Sequence, residues 1–339
     1  MSNKTYPFEM KDMTADEAKK LKLFTGELGG FIRVGPKGYI ATHRFKEMAA
    51  DIYNMEIRSS DVYVVTYARS GTTWTQELVW MVANNLDYEK AKSLTLTERF
   101  PFLEFSMMVH PDMTKFFKKQ KEGDIEKQKR LEVVSSHIID RVAAAPSPRF
   151  IKTHLPLTLM PPNLLDAKVV YVARDPRDVA VSFYHLCRSM VFMGWSGDFK
   201  SFWELLINDL LYWTPFFDHL KEAWEKRHHP NLLFLFYEDM QKDLPAVINR
   251  VADFLGKKYS DEQVAQLCEH LKVDSFKKNP SINNVQFKEL GLMKPNEEFV
   301  RKGKSGGWRD YFDEEMTAQA EKWMEENLRD TDLRFPHLQ

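Results

Sequence analysis

The chain has few cysteines, almost no net charge and no long apolar segment. Its two cysteines, Cys187 and Cys268, cannot form a disulfide framework, so we expect a reducing compartment and a cytoplasmic location. Because 48 basic and 49 acidic side chains nearly cancel, neither nucleic acid nor an anionic membrane is expected as the main partner. No window approaches about eighteen uninterrupted apolar residues, and the N-terminus has no apolar core of signal-peptide length, so neither a membrane span nor secretion is expected.

Carboxylates clustered at metal-ligand spacing are also missing, and we expect no metal. What is present is a hydrophobic fraction of 43%, which suffices for a large core in 339 residues. Strand-like and helix-like segments alternate without an intervening linker. These features predict an α/β protein with a central parallel sheet and helices on both faces.

The most informative segment is residues 66–74, Thr-Tyr-Ala-Arg-Ser-Gly-Thr-Thr-Trp. It follows an apolar strand at residues 62–65 and opens a helix that we expect to end near Asn84. Backbone N–H groups at such a helix N-terminus favour a phosphate or sulfate, and the charge of Arg69 and the close backbone approach allowed by Gly71 favour it further. The usual nucleotide P-loop pattern, G-x-x-x-x-G-K-[ST], does not occur here. The segment therefore predicts an anion-binding loop of another kind.

Two further strands end in groups suited to an anion. Lys152 and His154 lie two residues apart after an apolar strand, and in an extended chain that spacing points both side chains to one side. Residues 169–173 predict another strand, with Arg174 at its carboxyl end, where parallel sheets bind ligands, and Ser182 in the second turn of the next helix. By themselves these groups are also compatible with a surface lysine, a capping histidine and a local ion pair of the arginine.

A fourth segment, residues 299–308, is a basic, glycine-containing loop that ends in a tryptophan; such loops are usually solvated surface. Together, however, the four segments resemble motifs of the cytosolic sulfotransferases: Thr-Tyr-Pro-Lys-Ser-Gly-Thr-Thr-Trp, Lys-Thr-His-Leu-Pro, Arg-Asp-Pro-Arg-Asp followed by Ser, and Arg-Lys-Gly-x-x-Gly-x-Trp. They occur in the family's order across roughly seven-tenths of the chain. The resemblance implies a P-loop-like sulfonucleotide-binding fold, and an insect-type member is one interpretation.

The resemblance also implies the reaction and its residues. A sulfuryl group would pass from 3′-phosphoadenosine 5′-phosphosulfate (PAPS) to the hydroxyl of a small, largely apolar phenol or alcohol without a metal. His154 would be the general base, and Lys152, Arg69 and Ser182 would complete the catalytic set. The implied nucleotide-binding residues are Arg69, Ser70, Gly71, Thr72, Thr73, Trp74, Arg174, Ser182, Tyr237, Ser275, Phe276, Arg301, Lys302 and Gly303. The implied acceptor-binding residues are Phe102, Lys152, His154 and Leu186.

Three departures from the family pattern matter. Ala68 and Arg69 stand where the family usually has proline and lysine, and a guanidinium stabilises a leaving phosphate only as a fixed charge, whereas a lysine can also donate a proton. Residues 274–276, Asp-Ser-Phe, resemble the family's Thr-Ser-Phe nucleotide segment, with Asp274 in place of the threonine. The family's Thr-Val dimerisation element is not recognisable after Trp308, so a homodimer is possible but the oligomeric state stays open.

Alternatives to simple transfer also stay open. The family includes an insect enzyme that dehydrates retinol through a sulfated intermediate, so elimination after transfer is one alternative. A sulfonucleotide-binding protein without catalysis is a second, and Arg69 favours it while Lys152 and His154 oppose it. A small-molecule kinase is a third, and it would need a metal and a P-loop lysine.

The remaining segments give coarser predictions. Residues 1–55 are interpreted as a partly ordered N-terminal leader and residues 56–339 as a single sulfotransferase domain. The charged segment 112–132 predicts an exposed helix or excursion. Residues 201–227 predict one long amphipathic helix whose aromatic stripe, including Trp213, belongs to the core. Residues 232–237 predict a buried strand.

Overall fold

A computed structural model describes residues 4–301 and 303–336. Within these ranges there are seven strands: β1 (Met10–Asp12), β2 (Phe31–Val34), β3 (Tyr39–Thr42), β4 (Val62–Thr66), β5 (Phe150–Thr153), β6 (Lys168–Ala173) and β7 (Leu232–Phe236). The same ranges contain seventeen α-helices: α1 (Ala15–Leu21), α2 (Ala49–Tyr53), α3 (Thr72–Ala83), α4 (Tyr88–Ser93), α5 (Leu96–Arg99), α6 (Pro111–Gln120), α7 (Ile125–Ser135), α8 (Ile139–Ala144), α9 (Pro176–Ser189), α10 (Phe199–Ile207), α11 (Phe216–Glu225), α12 (Tyr237–Lys242), α13 (Leu244–Phe254), α14 (Asp261–His270), α15 (Val273–Lys278), α16 (Val285–Glu289) and α17 (Glu314–Leu328).

The central sheet has four parallel strands in the order β5-β4-β6-β7. In its register Val64 pairs with Lys152 on one side and with Val170 on the other, and Val172 pairs with Leu235. Each strand is followed by a return through helices or loops, so the carboxyl ends of all four strands lie at one edge of the sheet. The predicted parallel α/β sheet is confirmed, with its strands where the apolar runs indicated.

Side chains of β4 and β6 alternate between two hydrophobic cores. Tyr63 and Val65 belong to one core with Tyr171, whereas Val62 and Val64 belong to the other. Because successive residues of a strand point to opposite faces, this division means that helices cover both faces of the sheet. Such strands read as continuous β-branched or aromatic runs instead of alternating ones, which is why the sequence pattern identified them.

The first fifty-odd residues carry a small sheet of their own. Strands β1, β2 and β3 pair antiparallel in that order. Ile32, Val34, Tyr39 and Phe45 are almost fully buried and belong to the same core as one face of the central sheet. The Tyr39 hydroxyl donates to Glu222 at 2.5 Å, which ties β3 to α11. A division of the chain at residue 55 stays a prediction.

The helix predicted for residues 201–227 is wrong in its continuity. The segment forms α10 and α11, separated by a loop in which Asp209 and Trp213 adopt positive φ angles of 53° and 63°. Pro215 precedes the first residue of α11 and prevents that helix from extending further back, because proline has no N–H to donate and disfavours the α conformation of the residue before it. The aromatic side chains do enter the core, but the loop directs Trp213 toward the cavity described below.

Two other helix predictions are confirmed. The helix after the anion loop, α3, ends at Ala83 with Asn84 as its cap. The charged segment 112–132 forms two helices, α6 and α7, which are largely exposed but bury Phe117 and Leu131. Among the residues that the structure describes, no helix combines the length and apolar character needed to cross a membrane.

Candidate active site

The loop between β4 and α3 forms an anion cradle. Gly71 caps α3 with φ +98°, and a Cβ at this position would lie 2.6 Å from Cδ2 of Tyr237. Both the angle and the close approach therefore require glycine. The Thr66 and Thr72 hydroxyls lie 2.7 Å apart and link the end of the strand to the first turn of the helix. Thr72 and Thr73 of that first turn line the cavity, and N–H groups of a first helical turn have no partner within the helix.

Arg69 connects three of the four motifs. Its Nε donates to Ser182 Oγ at 3.0 Å, its Nη2 donates to the Phe299 carbonyl at 3.3 Å, and its guanidinium lies 5.1 Å from the Phe299 ring centroid. Burial, followed by the charges of Arg174 and Arg301, lowers its pKa to about 10. The group is therefore still a cation at neutral pH. Its φ of +69° is a strained angle for a side-chain-bearing residue.

Arg174 stands beside it at the end of β6. Its Nη1 donates to the Arg69 carbonyl at 3.2 Å and its Nη2 to the Lys304 carbonyl at 3.0 Å. The guanidinium carbon lies 4.2 Å from the centroid of the Tyr237 ring. Tyr237 in turn packs edge-on against Trp74, with 5.5 Å between ring centroids. The arginines that follow β4 and β6 and the aromatic rings of α3 and α12 therefore lie together at one end of the cleft.

Lys152 and His154 face the other side of the same cleft. His154 Nδ1 lies 2.8 Å from the Thr66 carbonyl oxygen. A carbonyl can only accept, so Nδ1 carries the proton and Nε2 keeps its lone pair. Burial, with the Lys152 charge second, holds the pKa of His154 well below its usual range, so the ring is neutral at neutral pH. The Lys152 ammonium lies 3.9 Å from the Phe102 ring centroid, and burial lowers its pKa to about 8.

A buried carboxylate holds the backbone of this pair. Glu104 accepts from the His154 N–H at 2.6 Å and from the Thr153 hydroxyl at 2.7 Å. On the opposite side His219 Nε2 donates to the His154 carbonyl at 2.8 Å. Burial raises the pKa of Glu104 to about 7 against the lowering effect of these hydrogen bonds. Both peptide groups of His154 are therefore fixed by side chains that belong to distant segments.

The cleft is continuous with a large apolar cavity, and together they enclose about 720 Å³. Its apolar wall includes Phe102, Phe105, Leu186, Met190, Phe192 and Trp213. His154 lies where the cleft and the cavity meet, with Phe102 and Trp213 edge-on at centroid distances of 5.0 and 4.9 Å. This arrangement suits a mostly hydrocarbon ligand with one polar end at the histidine.

Most residues that the sequence indicated come together here. The wall contains Arg69, Gly71, Thr72, Thr73, Trp74, Phe102, Lys152, His154, Arg174, Ser182, Leu186, Tyr237, Phe276, Arg301 and Gly303. Ser70 is fully buried behind the loop and is not part of the wall. Ser275 is half-buried and donates to the Glu269 carbonyl at 2.9 Å, so its hydroxyl is directed elsewhere. Lys302 lies outside the described residues.

Three contributors were not identified as site residues from the sequence: Trp213, Glu104 and His219. Pro215 could have revealed the first, because a proline within a predicted helix indicates a break near it. Glu104 lies two positions after Phe102, and nothing in its local pattern indicates that it reaches His154. His219 lies within an amphipathic helix and reads as an ordinary core position.

The cleft fits an oxygen-rich anion. Among the buried donors that have no hydrogen-bond partner in the described part of the chain, Trp74 Nε1 and Arg174 Nε belong to residues that line the cleft. Buried donors are normally paired, so their clustering around a cationic cleft matches a phosphate-bearing ligand. No group of three or more histidine, cysteine, aspartate or glutamate side chains in the described part of the chain could hold a metal ion.

A parallel α/β sheet, a helix-capping anion loop and an aromatic-lined cationic cleft define a protein that binds a phosphorylated nucleotide beside an apolar acceptor cavity. The sulfotransferase domain model matches residues 59–332, and the chain belongs to that family. It is a PAPS-dependent sulfotransferase.

Curated relatives agree with this conclusion. Luciferin sulfotransferase of Photinus pyralis is 33% identical over 306 residues, which cover 88% of this chain and 80% of the relative. Sulfotransferase 1E1 of Bos taurus is 30% identical over 86% of this chain and 91% of its own length.

Solved structures give a closer match. A retinol dehydratase in complex with retinol and PAP, the desulfated nucleotide, is 48% identical, covers 98% of this chain and 99% of its own, and superposes with a TM-score of 0.93. A complex of retinol dehydratase with androsterone and PAP gives the same TM-score at 47% identity.

Proposed function

We propose that this sulfotransferase acts on the hydroxyl of a largely apolar alcohol or phenol, with His154 as the general base. The single observation that carries the proposal is the hydrogen bond from His154 Nδ1 to the Thr66 carbonyl. It leaves the unprotonated Nε2 available where the cationic cleft meets the apolar cavity. A base of this kind needs to be neutral, and burial of His154 keeps it so.

The cations of the cleft would serve the departing phosphate. Bound there, the donor would supply an activated sulfuryl group. Arg69 and Lys152 line the boundary between cleft and cavity, where negative charge builds up as the group is transferred. Because Arg69 cannot release its proton easily, we propose that it acts as a fixed charge and that Lys152, whose pKa lies at about 8, is the group able to give a proton.

The other end of the cleft would hold the nucleotide. Trp74, Tyr237 and Phe276 provide aromatic surface for the base, while Arg174, Ser182 and Arg301 would contact the 3′-phosphate. Lys302 and Ser275, which the family resemblance adds to this set, are kept as predictions. We also propose a cytoplasmic location, consistent with a chain that has only two cysteines, both unpaired.

The acceptor is proposed to be long and apolar. The apolar part of the cavity, with phenylalanine, methionine and leucine in its wall, favours a hydrocarbon skeleton over a catechol or sugar. The matched retinol dehydratase structures contain retinol or androsterone, which supports an acceptor of that size.

The test is transfer of labelled sulfate from PAPS to retinol, androsterone and a simple phenol, with and without His154→Ala. We expect transfer to the apolar alcohols by the unaltered protein and loss of it in the variant. Transfer confined to small polar phenols would contradict the acceptor class. Transfer of phosphate from ATP with magnesium would contradict the whole proposal.

A second candidate is elimination after transfer, giving an alkene. The sulfate would leave with the electrons of the carbon–oxygen bond, and the neighbouring carbon would lose a proton. Phe102 and Trp213 flank His154 and would stabilise positive charge on that carbon through their ring faces. The identity of 47–48% to retinol dehydratase also favours it. Mass analysis of the product separates the two candidates, since elimination releases free sulfate and a dehydrated hydrocarbon.

A further inference from the structure

The basic segment of residues 299–308 is called here the glycine loop, and its described residues are held by side chains from four places in the fold. Arg69 Nη2 donates to the Phe299 carbonyl at the start of the loop. Asp178 accepts from the N–H groups of Gly306 and Trp308, at 2.7 and 3.1 Å, near its end. The middle of the loop is bound differently, by Arg174 and by a neutral amide.

That amide belongs to Gln241, in α12. Its Nε2 donates to the Gly303 carbonyl at 2.6 Å, and its Oε1 accepts from the Ser305 N–H at 3.0 Å. The side chain thus pairs with the loop as a neighbouring strand would. Gln241 does not line the cavity, whereas Gly303 and Lys304 do. It therefore contacts the loop from behind.

The hydrogen bond from Gln241 helps to hold the Gly303 backbone in place. The residue has φ +60°, and a Cβ built on it would lie 2.3 Å from Cγ2 of Val273, so the loop backbone is pressed against the α15 wall of the nucleotide cleft. The other group that holds the middle of the loop, Arg174, donates one N–H to Lys304 but also faces the cleft with an unpaired Nε. A guanidinium drawn toward a phosphate is a poor anchor for the loop, while the Gln241 amide has no such competing partner.

We infer that Gln241 is a positioning residue for nucleotide binding: its amide holds the middle of the glycine loop against the nucleotide cleft. It contacts neither donor nor acceptor, and it acts through the backbone of Gly303 and Ser305. The inference rests on the proposal that Arg301 contacts the nucleotide and on the family prediction that Gly303 does so too. It assigns a function to a residue outside the motifs that the family resemblance covers.

The first test compares Gln241→Leu with the unaltered protein in binding of PAP by calorimetry. Leucine is similar in volume but can make neither hydrogen bond. Because both hydrogen bonds to the loop are lost, PAP is expected to bind roughly tenfold more weakly and to dissociate faster. The single-turnover transfer rate at saturating donor should stay within about twofold, because the reacting groups are untouched.

A matched control is Gln263→Leu, because Gln263 also binds a backbone N–H, that of Ser260, at the start of α14. It should leave PAP affinity unchanged. Unchanged PAP affinity in Gln241→Leu, or a loss of transfer rate at saturation with normal PAP affinity, would overturn the inference.

A second variant, Gln241→Glu, keeps the test decisive if leucine lowers stability. At neutral pH the carboxylate still accepts from Ser305 but repels the Gly303 carbonyl, so PAP binding weakens. Protonation at lower pH restores a donor, so PAP affinity relative to the unaltered protein at the same pH should recover as the pH falls. If the ratio of PAP affinities of the variant and the unaltered protein were constant across pH, that result would contradict the proposed role of Gln241. Because PAP binding is measured without an acceptor, a failure of the proposed acceptor or base would leave these results unaffected.

Discussion

Arg69 Nε and Ser182 Oγ lie 3.0 Å apart, although 113 positions separate them in the chain. The bond joins the anion loop after β4 to the helix after β6, at the carboxyl edge of the sheet. The serine therefore orients the guanidinium at this edge, where we propose that charge changes during transfer.

Replacing Arg69 tests its role as a fixed charge. Arg69→Lys should retain substantial transfer, whereas Arg69→Ala should lose about 3 kcal/mol of transition-state stabilisation, the scale for removal of one preorganised donor. PAP affinity should weaken less than turnover. Single-turnover rates and PAP affinity of both variants provide the measurement, and an alanine variant as fast as the unaltered enzyme would assign the developing charge to Lys152 alone.

Removing the proposed base should separate chemistry from binding. His154→Ala should lower turnover by about a hundredfold to ten-thousandfold while PAP affinity stays nearly constant, because the imidazole is proposed to contact the acceptor and not the nucleotide. The exposed His228→Ala serves as the control for loss of a histidine. Full activity of His154→Ala would exclude His154 from the mechanism.

The buried carboxylate behind His154 should matter through geometry. Glu104 uses one carboxylate oxygen for the His154 N–H and the other for the Thr153 hydroxyl, so in Glu104→Gln only one of these acceptors remains. Loss of a hydrogen bond to a charged group costs about 1.5–3 kcal/mol, so turnover should fall by roughly tenfold or more with PAP affinity preserved. Glu262→Gln, at an exposed site, is the control. Equal turnover in both variants would mean that the hydrogen bonds accepted by Glu104 are not needed for turnover.

The pH profile should have an alkaline limb set by Lys152. Its pKa lies at about 8, so the ammonium is present below that value and is lost as the pH rises through it. Transfer should therefore decline above about pH 8. Lys152→Arg keeps the charge at higher pH and should move the limb upward, even if its maximal rate is lower. The same limb in both proteins would show that another group titrates.

Position 71 should require glycine for two reasons: its positive φ angle and the lack of room for a Cβ beside the Tyr237 ring. Gly71→Ala places a methyl group 2.6 Å from the Tyr237 ring at φ +98°, whereas Gly123→Ala meets nothing within 4 Å at a similar φ of +89°. Both should lose about 1–2 kcal/mol of stability from the angle, measured by denaturant unfolding. Only Gly71→Ala should also lose PAP binding. Equal PAP affinity in the two variants would contradict the close packing of the cradle.

Local patterns in the sequence predict much of the fold. The strand at residues 62–65, its turn and its helix are encoded by adjacent residues: a β-branched run, a glycine and a helix-forming segment. The same holds for β6 and α9. Since ligands gather at the carboxyl ends of parallel strands, locating those strands also located Lys152, His154 and Arg174.

The single helix expected over residues 201–227 shows where such patterns fail. The aromatic residues there are spaced at a helical period on both sides of Pro215. Periodicity alone therefore predicts one helix where the structure has two. Only the packed structure reveals the loop between them and the placement of Trp213 beside His154.

By itself, then, the sequence determined the family, the parallel sheet and the residues at the ends of its strands, because each depends on neighbours in the chain. The tertiary structure alone decided that Glu104 and His219 hold the backbone of His154, and that Gln241 holds the glycine loop. These contacts join residues about fifty or more positions apart, and no local period or turn signal specifies such partners; packing of the whole chain does.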